Sequence, residues 1–116
     1  NYEQLRDRGD GESSAVMREK VMVAREIQKK RFSRYKISLN SQMRPADVRK
    51  HCQLDEKSEL LLKNAFDKLK MSARAYDRIL KVARTIADME ASEDIKLQHL
   101  GEALQYRSLD RKYWNK

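Results

Sequence analysis

Residues 72–88, SARAYDRILKVARTIAD, decide how the rest of the chain is read. Tyr76, Ile79, Leu80, Ala83, Ile86 and Ala87 recur at spacings that place them on one face of a 3.6-residue helix, and Ser72 stands just upstream as a side-chain cap. The prediction is an amphipathic helix that opens immediately after Ser72. Arg74 then falls in the first turn, where free backbone N–H groups already carry partial positive charge. A cation added there is unfavourable by about a few tenths of a kcal/mol. An anion nearby reverses the sign, because a helix N-terminus beside a guanidinium receives phosphate through fork-shaped, charge-assisted hydrogen bonds. The plain alternative is that Arg74 swings into solvent or pairs with Asp77, three residues on.

On the N-terminal side, Asp55 reads as the cap of a helix with acidic Glu56 and Glu59 at its start. Leu62, Ala65, Phe66 and Leu69 face inward, and Lys68 and Lys70 lie at its end. Almost nothing separates it from the Ser72 helix, so the two must form an antiparallel or sharply angled pair with Arg74 at the corner. Further back, a helix starts near Ser13 or Ser14 and runs to about Phe32, with Val16, Met17, Val21, Val23, Ala24 and Ile27 as a broad apolar face. The pattern lapses between residues 33 and 44, where Ile37 and Leu39 suit an extended connector. Pro45 then opens a two-turn helix through His51. Beyond the polar break Ser92-Glu93-Asp94, a fifth helix carries Leu97, Leu100, Ala103 and Leu104.

At 116 residues, with one proline, three glycines and 38% charged residues, the chain suits one all-α domain, a compact bundle of about five helices. The expected organisation is a linker over residues 1–11, a helical domain over 12–107 and a tail over 108–116 that holds Tyr113 and Trp114. A first residue other than Met and the polar opening NYEQLRDRGDG read as a piece of a longer polypeptide. The single cysteine, Cys52, excludes an internal disulfide and makes the cytoplasm the default compartment. No apolar run approaches the roughly 20 residues needed to span a bilayer, so no membrane role is expected.

The Ser72 helix resembles the final-domain helix of magnesium-chelatase-like AAA+ ATPases, in the ComM/YifB-type branch, through S-x-R-x-Y-x-R-I-L-x-V-A-R-T-I-A-D. The resemblance continues in Gly11-Glu12-Ser13-Ser14, in Ala24-Arg25-x-x-Gln28-x-x-Arg31 and in His51-Cys52-x-Leu54-Asp55. It closes with His99-Leu100-x-Glu102-Ala103-Leu104-Gln105-Tyr106-Arg107, so that it covers residues 11–107. It implies a C-terminal lid domain that senses ATP against ADP, with Arg74 as the sensor-2 arginine; the spacing of four residues, not the resemblance, adds Arg78 as its support. It further implies ATP and Mg2+ as cofactors of the full-length protein, an upstream P-loop domain, identical subunits in a ring and work on DNA. No G-x-x-x-x-G-K-[ST] occurs in the chain, so this segment is not expected to hydrolyse ATP by itself, and no catalytic residue is assigned.

A net charge of +8 raises a competing reading, a free-standing nucleic-acid-binding module. Eight basic and three acidic residues lie between Glu12 and Lys36, and Lys29, Lys30, Arg31, Arg34 and Lys36 crowd the end of the first helix as candidate phosphate contacts. Cations at a helix C-terminus are also stabilised by the macrodipole without any ligand. His51-Cys52 lacks partners at metal-site spacing, which leaves Cys52 a small buried residue and no metal expected. His99 reads as a surface or half-buried side chain, Lys81 and Arg84 as solvated cations, and Glu93 and Asp94 as helix-start acids. A third reading, an adaptor whose apolar grooves dock another protein, leaves Arg74 unexplained.

Overall fold

The computed structural model of the chain describes the backbone of residues 13–114 and the side chains of residues 13–106. The linker 1–11, the Gly11-Glu12 start of the family pattern and the side chains of Tyr113 and Trp114 lie outside that set. Among the described residues five α-helices follow in order: α1 (Ser14–Arg31), α2 (Pro45–His51), α3 (Glu56–Leu69), α4 (Ala73–Met89) and α5 (Leu97–Trp114), with a 3-10 turn at Asn40–Gln42 between α1 and α2. The fold is all-α, as expected. An isolated parallel bridge between Leu54 and Ile95 stitches the residues leading into α3 and α5.

Local chemistry sets the boundaries. Ser13, Asp55 and Ser72 each accept a backbone N–H in the first turn of the helix that follows, at 3.2, 2.7 and 3.1 Å. At α2 the reach is reversed: Asp47 accepts the N–H of Arg44 at 3.0 Å while Pro45 supplies a first-turn residue with no donor to satisfy. Gln42 closes the 3-10 turn in the same manner, taking the N–H groups of Ser38 and Leu39.

The core lies along α4. Ala75, Ile79, Leu80, Ala83 and Ala87 are buried against Leu62 of α3, Val48 of α2 and Leu100 and Ala103 of α5. Two expectations need correction. Of the apolar face assigned to α1, only Ala24 is buried, while Val16, Met17, Val21 and Val23 are exposed, because the bundle reaches only the second half of that helix. Leu97 and Leu39 are likewise exposed, whereas Ile37 packs on the core.

α4 ends in a Schellman turn: Ser92 N–H donates to Ala87 O at 2.9 Å and Ala91 N–H to Asp88 O at 2.9 Å. The residue that must turn left-handed is Ala91, with φ 55°. Glycine takes this conformation without the Cβ clash, so Ala91→Gly is expected to raise the unfolding free energy by about 1 kcal/mol, read as a higher denaturant midpoint at unchanged m-value.

Candidate functional site

α4 presents its first turn to solvent. Ser72 Oγ takes the N–H of Ala75, and Ser72 O takes that of Tyr76 at 3.0 Å, which leaves the amides of Ala73 and Arg74 without an intrahelical acceptor. Arg74 is exposed and forms no ion pair with Asp77 among the described residues. The local pairing that would have explained it is therefore not made.

Beside this turn runs an open groove of about 820 Å³. Its apolar floor comes from Met43 and Pro45 ahead of α4, from Val82, Ile86 and Met89 on α4, and from Tyr106 on α5. Arg74, Asp77, Arg78 and Lys81 also line it, so both arginines named from the sequence border the same groove. Lys81 reaches across it to Ser41 O at 3.4 Å.

At the other end of α4 lies a buried ionic node that the sequence reading did not identify. The Asp88 carboxylate is fully buried and accepts from Arg31 Nη1 at 2.8 Å, Arg31 Nη2 at 2.7 Å, Arg84 Nε at 3.2 Å and Asn40 Nδ2 at 2.9 Å. Arg84 spends its remaining donors on Ser92 O at 2.6 Å and Glu93 O at 2.9 Å, which ties down the α4–α5 turn. Asn40 is itself fixed by its N–H to Gln28 Oε1 at 2.9 Å and by its Nδ2 to Thr85 Oγ1 at 3.1 Å. Two sequence assignments fall here. Arg84 is buried, not solvated. Arg31 leaves the candidate phosphate set, because its guanidinium is committed to Asp88 in a bidentate pair. Burial pulls Arg84 below the usual arginine range and Asp88 opposes that pull.

Lys29, Lys30, Arg34 and Lys36 remain exposed around the end of α1. Next to them Tyr35 Oη lies 3.0 Å from His51 Nε2 and accepts from Lys50 Nζ at 3.2 Å. Burial, together with the Arg31 and Lys50 charges, holds His51 below the usual histidine value. Cys52 is buried as expected, and desolvation pushes its thiol up to about 11, so it is unreactive near neutrality.

His99 is another correction. It is buried: Nδ1 accepts the N–H of Lys96 at 2.9 Å, and Nε2 sits 2.9 Å from Glu90 Oε2 without hydrogen-bond alignment. The donor at Nδ1 requires the proton on Nε2, so His99 works as a structural cap for α5. Glu93 and Asp94 stand upstream of the first turn of α5, separated from it by buried Ile95. Among the described residues no three of His, Cys, Asp and Glu gather as metal ligands, and no helix is long and apolar enough to cross a membrane.

Fold and groove together define a small helical-bundle domain with a cationic rim over an apolar floor. The chain belongs to the magnesium chelatase family, in the part described as the C-terminal region of subunit ChlI, whose profile matches residues 11–107. It is 45% identical over 108 residues to the competence protein ComM of Haemophilus influenzae, a match that covers 92% of this chain and 20% of that protein. It is 44% identical over 101 residues to YifB of Escherichia coli, covering 87% of this chain and 19% of that protein. The chain thus spans about one fifth of the length of the curated relatives it matches.

The node sets the stability of the domain. Asp88→Asn keeps the side-chain shape but leaves buried Arg84 and part-buried Arg31 without a counter-charge, and is expected to cost about 3–5 kcal/mol in a denaturant titration.

Proposed function

We propose that this chain is the C-terminal helical lid of a magnesium-chelatase-like AAA+ ATPase, which senses ATP against ADP through Arg74 and converts the difference into lid motion. The observation that carries the reading is the exposed guanidinium of Arg74, unpaired among the described residues and set in the first turn of α4 beside two uncommitted backbone amides. These groups fit the terminal phosphate of a nucleotide, which supplies concentrated negative charge where like-signed charges now meet. Arg74 binds and orients that phosphate, while Arg78 adds positive charge on the same groove wall. A charge-assisted bond worth about 1.5–3 kcal/mol exists with ATP and is lost with ADP, which is enough to shift a two-state lid.

In this proposal the P-loop and the Mg2+ ligands belong to the upstream part of the polypeptide, identical subunits form a ring in the cytoplasm, and DNA is the substrate handled. The DNA step draws on the exposed cations Lys29, Lys30, Arg34 and Lys36. Support for ring and DNA comes from the family resemblance and from charge.

In the full-length polypeptide, Arg74→Ala is expected to lower ATP turnover at saturating nucleotide by about 10- to 100-fold. Unchanged turnover together with unchanged nucleotide-dependent assembly removes the sensor role. For the DNA step, Lys29→Ala and Lys30→Ala should each reduce the slope of log affinity against log salt for duplex DNA by about 1, followed by fluorescence anisotropy. A slope that does not move assigns these lysines to the helix macrodipole alone.

A further inference from the structure

α1 is an 18-residue helix whose main contacts with the bundle, Ala24, Gln28 and Arg31, lie in its second half, with Val21 at their edge beside Thr85 and Met89. Its first ten residues extend about 15 Å beyond that contact at 1.5 Å per residue. They are not polar. Val16, Met17, Val21, Met22 and Val23 are 42, 43, 38, 66 and 36% exposed.

Their angular positions exclude a simple surface stripe. Met17 and Val21 continue the line of Ala24, Gln28 and Arg31 past the edge of the bundle, Val16 and Val23 lie seven residues apart on a second face, and Met22 points along a third. A helix with apolar side chains on several faces belongs inside protein, because water on all sides opposes every one of them. Ser13 caps the helix at its outer end, so residues 14–23 are built as a helix and not as a loose lead-in.

The occupant follows from chain length. The family profile describes a C-terminal region, and the matched stretch makes up only 20% and 19% of the two relatives, so most of their polypeptide precedes it. We infer that residues 14–23 form an interdomain surface, enclosed on more than one side by apolar side chains of the polypeptide that precedes this chain in the full-length protein. This inference rests on α1 and on the lengths of the relatives, not on the nucleotide reading of Arg74, so either can fail without the other.

Methionine oxidation tests it with built-in controls. Thioether oxidation by peroxide follows exposure, and the chain carries exposed Met17 and Met22 beside buried Met43 and Met71. In the full-length protein without nucleotide, each methionine is followed by mass spectrometry and compared with its own rate in urea. Met17 and Met22 are expected to be slowed by at least about tenfold, matching Met43 and Met71. Oxidation of Met17 and Met22 at their urea rates, while Met43 and Met71 stay protected, overturns the inference. So does protection that disappears on dilution as the protein falls to monomers, since the cover is then a second copy.

Discussion

One carboxylate holds the arrangement together. Asp88 is withdrawn from water and receives four donors from Arg31, Arg84 and Asn40, which fill the lone-pair sites a carboxylate offers. Withdrawing Asp88 and Arg84 from water, with most of Arg31, is expensive, and further hydrogen bonds offset part of that cost. Arg84 makes them to the carbonyls of Ser92 and Glu93, and Arg31 to Asn40 Oδ1 at 2.9 Å. The geometry admits one register of α1 against α4 and one path for the α4–α5 turn. Apolar packing alone, which is tolerant of small slips, would not select either so sharply.

Fixing one end of α4 determines what the other end does. Arg74 and Asp88 are fourteen residues apart, about 21 Å along a straight helix. A rod anchored at Asp88 carries any tilt imposed at Arg74 back to α1 and to the α4–α5 turn, because those elements are tied to the same carboxylate. The overhanging half of α1 lies on the receiving side of that linkage. Under the proposed function, a nucleotide signal entering at Arg74 would have a mechanically continuous route to the surface inferred to meet the preceding polypeptide.

The helices were legible in the sequence because their ends are written in local chemistry. Ser13, Pro45, Asp55 and Ser72 each mark a boundary that the structure reproduces, and the inward residues of α3 and α4 follow from periodicity. The groove was partly legible: the spacing of Arg74 and Arg78 placed them together, but nothing local revealed Tyr106 and Met43 as part of its lining. The node was missed because its longest pair joins residues 57 positions apart, and periodicity says which face a side chain occupies without saying what covers it. The same gap explains α1, where Val16, Met17, Val21 and Val23 read as inward although they are exposed. A local signal for Asp88 did exist, since a carboxylate in the last turn of a helix opposes the macrodipole and calls for nearby cations.

Placed side by side, the two ends of α4 make a physical argument about Arg74. Each carries the charge that the helix disfavours, an arginine at the positive end and an aspartate at the negative end. At the C-terminal end the mismatch is resolved inside the domain, where two guanidinium groups and an amide surround the acid. At the N-terminal end no described carboxylate answers the arginine, and the Asp77 side chain one turn away does not pair with it. Both mismatches sit on one otherwise well-formed helix, and the first shows how this fold treats such a charge: it surrounds it with opposite charge. The proposed function completes the second from outside the chain by the same logic: an anion approaching the first turn of α4 would gain both the guanidinium and the free amides at once.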